Sequence, residues 1–206
     1  MADLTNSRTM NEIVVAGATP SRIDALHHAL HDYAQRWPGE AAVVDLFGDL
    51  LAVNGGTDPF TRDRLEGHFT ASCWLVDSSG ERVLLTHHRK LERWLQLGGH
   101  ADGDRDLARV ALREAEEESG LDGLQVEPMI FDLDRHWIPA RGEVPGHWHY
   151  DVRYIVRAGA NEDYVVSNES HDLAWREITG IAEDAGADES MRRMAGKWLS
   201  RTDRLA

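Results

Sequence analysis

The residues of this chain best suited to chemistry form the run Arg113-Glu114-Ala115-Glu116-Glu117-Glu118-Ser119-Gly120-Leu121. On a helix, positions three and four apart share a face. Glu114, Glu117 and Glu118 therefore cluster on one side, and Glu116 points roughly the other way. Leu107, Val110 and Ala111 continue the first side toward the N-terminus. The three carboxylates thus lie on or beside the stripe that must face the rest of the fold. Such crowding is unfavourable by itself. Like charges four apart repel by roughly a few tenths of a kcal/mol when exposed. Burial adds a desolvation cost, and the negative end of the helix dipole opposes them. A hard cation reverses the balance, because Mg²⁺ takes carboxylate oxygens. The bland alternative is a solvated acidic helix face, and the phase of the apolar stripe argues against it.

Histidines supply a second set. His147, His149 and Asp151 alternate along a strand and share one face, with Trp148, Tyr150 and Val152 on the other. A His-x-His-x-Asp run is able to bind a transition metal, to line a substrate pocket, or to form a half-exposed polar sheet face. His100, which follows Gly99 directly, and His136 are further candidates. Trp94, Trp137 and Trp148 are candidates to stack on a base or another flat group, whereas Trp74, Trp175 and Trp198 sit on core-like patterns. Cys73, the only cysteine, lies in the apolar run from His68 to Val76 and reads as a small buried hydrophobe.

These residues need elements to position them. Residues 1–19 read as a tail. A helical pattern opens at Pro20-Ser21, carries Ile23, Leu26, Leu30 and Tyr33, and ends at Trp37-Pro38-Gly39. A second helix over about Glu40 to Val53 pairs with it as a helical hairpin packed on the main body, and Asn54-Gly55-Gly56 stops it. Strands are expected over His68 to Asp77, Arg82 to His87, Trp94 to Leu97, Leu124 to Trp137, His147 to Val156 and Leu173 to Trp175. A loop over Gly99 to Gly103 precedes a helix from about Asp104 to Ser119, which Gly120 ends as a C-cap. A last helix runs from about Glu189 to Ser200. Strands mixed with a few helices give an α/β or α+β class with a mixed sheet. The expected division is a tail and hairpin over residues 1–63 and the main domain over 64–206.

Composition narrows the functions. The chain has 206 residues, a net charge of −14 and no run rich in Lys and Arg. That disfavours a nucleic acid polymer as partner, since phosphates are held by a basic face; in an acidic chain that binds phosphate, a divalent cation usually mediates. One cysteine excludes an intrachain disulfide. No apolar run reaches membrane-spanning length, and residues 1–11 lack the order of a secretory signal. These features point to a cytoplasmic location without membrane partners.

With the run around Glu114 on the page, the chain resembles the Nudix family, also called MutT-like, whose signature is G-x5-E-x7-R-E-U-x-E-E-x-G-U. Gly99 takes the opening glycine, Arg113 and Glu114 the R-E pair, Ala115 the first aliphatic slot, Glu117 and Glu118 the E-E pair, and Gly120 with Leu121 the close. Every spacing is met. The motif covers about a tenth of the chain, and the flanks extend the resemblance over roughly Leu65 to Leu199. One slot departs: Arg105 replaces the first glutamate, which in the family braces the loop and helix by pairing with the motif arginine. Asp104 or Asp106 is placed to take over or to cap the helix.

The resemblance implies an α/β/α sandwich with a mixed sheet. It implies a pyrophosphohydrolase in which water attacks a phosphorus of a nucleoside diphosphate-linked or nucleoside triphosphate substrate. Carried over, the Mg²⁺ ligands, with Mn²⁺ as substitute, are Glu114, Glu117, Glu118 and the Gly99 carbonyl, and Arg113 orients a glutamate. The general base is a motif glutamate or Glu169, which lies just before Leu173-Ala174-Trp175; the alternative for Glu169 is a surface turn residue. His100, His149 and Trp137 are the substrate-binding candidates. Many members are dimers, so a homodimer stays open. Two other readings remain: a non-catalytic Nudix-fold nucleotide sensor, which the intact carboxylates argue against, and a diphosphate isomerase, which would need a catalytic cysteine.

Overall fold

The first helix opens with a reciprocal cap. The Ser21 hydroxyl accepts from the Asp24 backbone N–H, and the Asp24 carboxylate accepts in return from the Ser21 backbone N–H. The computed structural model describes residues 21–53, 56–88, 93–166 and 170–202. Helix α1 (Arg22–Arg36) and helix α2 (Ala41–Ala52) are joined by one 3-10 turn at Pro38–Glu40. They form the expected hairpin. Leu26, Leu30, Tyr33, Phe47 and Leu50 are buried in the same core as the sheet, and Phe47 meets the Tyr150 ring edge-on at 5.4 Å.

Among the described residues, seven strands make one mixed sheet. Strand β1 (Gly67–Val76) is its spine and is buried along its whole length. It pairs in parallel with β6 (His147–Arg157), which pairs antiparallel with β5 (Gln125–Ile138). The opposite edge of β1 is shared. Its end meets β2 (Arg82–His88) at Val76↔Val83, and its middle, Thr70 to Cys73, pairs antiparallel with β4 (Leu97–His100). Strands β3 (Arg93–Leu95) and β7 (Ser170–Glu177) flank β2.

Alternation along β1 divides the core. Phe69, Ala71, Cys73 and Leu75 pack beneath α1, α2 and helix α3 (Leu107–Ser119). Trp74 and Val76 face Met191, Met194 and Trp198 of helix α5 (Glu189–Leu199). The result is an α/β/α sandwich.

Three local expectations change. Gly99 and His100 lie in strand β4 rather than in a loop, because β1 offers them an unpaired edge. Helix α3 begins at Leu107, not near Asp104, because the Asp106 side chain accepts from the Arg109 N–H and acts as the N-cap. Helix α4 (Ile178–Glu183) was not expected from the sequence; its six residues are too short to show a period.

Candidate active site

Two glycines bring strand β4 against α3. A Cβ on Gly98 would lie 2.3 Å from Ser72 Cβ, and one on Gly99 would lie 2.4 Å from Glu114 Oε2. The strand can therefore sit this close to β1 and α3 only without side chains at both positions. The contacts are directional. The Gly98 N–H donates to Glu118 Oε1 at 2.8 Å. Arg113 Nη2 donates to the His100 carbonyl at 3.2 Å and to Glu114 Oε1 at 2.9 Å. Gly99, Arg113, Glu114 and Glu118 are thus brought together as the sequence suggested.

Glu117 departs from the inward cluster. It is exposed, as is Glu116, while Glu114 and Glu118 are half-buried. The buried stripe of α3 is Leu107, Val110, Ala111, Ala115 and Ser119, and Glu117 lies beyond its edge. Glu169 lies outside the described residues.

The acidic neighbours of Arg105 do not replace the missing brace. Asp104 pairs with Arg109 at 2.8 Å, and Arg105 pairs with Asp58 at 2.6 Å. Arg113 is instead held by Glu114 and by the His100 carbonyl.

Cys73 is fully buried beside this set. Burial pushes its thiol well up, and the charges of Glu118, Asp151 and Glu114 push it further the same way. A thiol held in its protonated form is a poor nucleophile, which removes the cysteine that isomerase chemistry would need.

His100 projects to the face of β4 opposite Gly99 and Glu114, by strand alternation. There it meets histidines of three other strands. Ring centroids are 5.2 Å apart for His68–His100, 4.9 Å for His68–His149 and 5.4 Å for His136–His149. Burial lowers the His68 pKa, and it lowers that of His100 to about 4, with Arg62 and His68 adding repulsion. Burial, then His100 and His68, also drive His149 far down. These rings are neutral near pH 7. His68 was missed from sequence, since only the parallel register His68↔His149 brings it here.

Asp151 shares that face but is not free to join the rings. It accepts from Thr70 Oγ1 at 3.0 Å, Ser72 Oγ at 2.7 Å and Arg153 Nε at 2.8 Å. Trp137 is separated from His100 and His149. It pairs with Trp148 across β5 and β6, the rings meet edge-on at 5.2 Å, and both leave the α3 side of the sheet. A hollow of about 830 Å³ between β7, α4 and α5, lined in part by Trp94, Arg176 and Met191, shares no residue with either set.

A family model described as NUDIX domain matches residues 67–195, well over half of the chain. Among solved structures, the chain is similar to a NUDIX-family hydrolase from Clostridium perfringens, at 23% identity and a TM-score of 0.51 over 64% of this chain and 95% of that one. It is similar to a MutT protein from Methanosarcina mazei Go1, at 16% identity and a TM-score of 0.51 over 66% and 95%. It also resembles the E. coli dihydroneopterin triphosphate pyrophosphohydrolase, at 15% identity and a TM-score of 0.50 over 63% and 92%. At these identities the structural likeness is one of fold. No curated protein matches the chain. The domain match, with Gly99, Arg113, Glu114, Glu117 and Glu118 in their signature positions, places this chain in the Nudix family of hydrolases.

Proposed function

We propose that this Nudix hydrolase cleaves a diphosphate linkage in a nucleoside diphosphate-linked or nucleoside triphosphate substrate, by water attack on phosphorus, and that it depends on Mg²⁺ with Mn²⁺ as substitute. The observation that carries the reading is the seating of two half-buried carboxylates, Glu114 and Glu118, on the Gly98-Gly99 strand.

The residues fit such an ion. The space that a Cβ on Gly99 would occupy is bounded by the Glu114 carboxylate, and the donor set of carboxylates and a backbone carbonyl is all oxygen, which suits a hard cation. Glu114, Glu117, Glu118 and the Gly99 carbonyl would hold it. When bound, the ion would stabilise charge on phosphate oxygens and lower the pKa of the attacking water. The chain does the rest by positioning. Arg113 holds Glu114 and the end of β4 in one geometry through charge-assisted bonds. The Gly98 N–H fixes the rotamer of Glu118. Glu117 is exposed and would reach the ion from the solvent side of the helix. Glu169 stands as the loop candidate for general base on sequence grounds.

The test is a panel of nucleoside triphosphates, nucleotide sugars, dinucleoside polyphosphates and non-nucleotide diphosphates, assayed with Mg²⁺ and with Mn²⁺ and read by product mass. Release of phosphate, pyrophosphate or nucleoside monophosphate is expected. Nucleotide binding without turnover of any member would replace the reading with a sensor.

A further inference from the structure

We propose that His68, His100 and His149 form a second metal site, for a transition metal of the Zn²⁺ class, on the sheet face opposite the glutamates. It goes beyond the Mg²⁺ reading and does not rest on it.

The three side chains come from β1, β4 and β6, and their ligating nitrogens all lie within 4.8 Å of one another. An all-imidazole set suits Zn²⁺, Cu²⁺, Ni²⁺ or Fe²⁺ and does not suit Mg²⁺. The decisive atom is His68 Nε2. His68 is 2% exposed, and this nitrogen is buried with no hydrogen-bond partner among the described residues. Buried polar atoms are almost always paired, so an orphan on a ring whose centroid lies 5.2, 5.0 and 4.9 Å from those of His100, His147 and His149 points to a missing ligand. Its other nitrogen, Nδ1, faces the Arg64 carbonyl at 3.1 Å. Donation there leaves the lone pair on Nε2, as metal-bound histidines commonly arrange it.

A fourth ring stands ready. His147 Nδ1 faces the Pro145 carbonyl at 2.9 Å, which turns Nε2 toward the cluster, 3.3 Å from His149 Nε2. Tetrahedral Zn²⁺ with bonds of about 2.0–2.1 Å sets its ligand atoms roughly 3.4 Å apart. The His147–His149 spacing already matches that edge. The spacings among the other three, all within 4.8 Å, need to close by no more than about 1.4 Å to reach that edge, a movement on the scale of side-chain rotation. Asp151 is tied to Thr70, Ser72 and Arg153, so the set remains nitrogen-only.

The full chain is stripped with chelator, dialysed and titrated with Co²⁺, whose visible absorption reports tetrahedral coordination. Zn²⁺ is then measured by competition with a chromophoric chelator and by metal analysis. One equivalent is expected in the wild type, in the presence of excess Mg²⁺, with the same stoichiometry in the double variant Glu114→Gln/Glu118→Gln. His68→Ala and, at the more accessible position, His100→Asn should each weaken Zn²⁺ binding by roughly 100-fold or more, with circular dichroism verifying the fold. Absence of stoichiometric Co²⁺ or Zn²⁺ binding to the wild type would overturn the proposal. So would its loss in the glutamate variant with retention in a folded His100→Asn chain.

Discussion

The backbone N–H of Gly98 donates to Glu118 Oε1 at 2.8 Å, from a strand residue to the last turn of a helix twenty residues later. This bond and the close packing of Gly99 on Glu114 join β4 and α3 into one unit. The unit holds half-buried carboxylates near a backbone carbonyl. It also explains the cost that the helix accepts: like charges four residues apart sit at the negative end of the dipole, held by Arg113 and by the glycine N–H.

Glu118→Gln keeps an acceptor for the Gly98 N–H and removes the charge. The fold should therefore survive while Mg²⁺-dependent turnover falls by roughly 100-fold or more, the scale set by loss of one preorganised electrostatic group. Steady-state kinetics with Mg²⁺, beside far-UV circular dichroism, check both halves. Wild-type turnover in this variant would remove Glu118 from the site.

Gly99→Ala introduces a methyl group where Glu114 Oε2 would lie 2.4 Å away. Either the carboxylate or the strand must move. Overpacking of this kind costs about 1–3 kcal/mol, and the displaced carboxylate should weaken Mn²⁺ binding measured by calorimetry. Gly48→Ala, on α2 with nothing near its would-be Cβ, should instead stabilise by about 0.5–1 kcal/mol through helix propensity. Equal Mn²⁺ affinity in wild type and Gly99→Ala would show that Glu114 does not ligate.

Much of the frame was legible in the sequence because it is local. Pro20-Ser21 at the opening of α1, the apolar period of that helix, and Gly120 in the left-handed region at φ 69° are all short-range signals. The carboxylate motif is equally local. What escaped depends on pairing between distant strands. Strand β4 exists because β1 has a free edge beside it. His68 joins His149 through a parallel register that no neighbouring residue encodes. Trp137 and His136 are adjacent in sequence and leave opposite faces, so only the β5–β6 register shows which of them meets His149. Glu117 looked inward by spacing alone; the actual stripe through Ala111, Ala115 and Ser119 leaves it in solvent.

Asp132 should govern acid stability. It is fully buried and bonds Lys197 at 2.7 Å, Arg193 at 2.8 and 2.9 Å, and Arg153 at 3.2 Å. Lys197 also reaches Tyr33 at 2.6 Å and Glu40 at 2.7 Å, which ties α5 to the hairpin. Burial pushes the Asp132 carboxyl up, but the Arg193 bonds and the charges of Arg153 and Lys197 outweigh it, so it ends below 3.8. A folded pKa below the unfolded one gives stability that is present above the unfolded value and lost as pH falls. The urea midpoint should therefore drop below about pH 4. Asp132→Asn should cost about 3–5 kcal/mol at neutral pH, since it leaves buried cations uncompensated, and should flatten the acid limb. An unchanged acid limb in that variant would assign it to other carboxylates.

Trp137 is where the substrate's X group can be probed. The residue is 52% exposed, and its ring meets Trp148 edge-on and lies on the same side of the sheet as α3. The indole also lies against Gly146, where an added Cβ would come within 2.4 Å of Cζ2. It is therefore a braced surface with one side open. Stacking a base on an aromatic side chain is worth about 1–3 kcal/mol. If the X group is a nucleoside stacked there, Trp137→Ala should raise KM by about 10-fold or more at nearly constant kcat, because the interaction is made equally in ground and transition states. Non-nucleotide diphosphates should show no such rise. A fall in kcat with KM unchanged would place Trp137 in support of the strand instead, and equal effects on both substrate classes would remove it from base recognition.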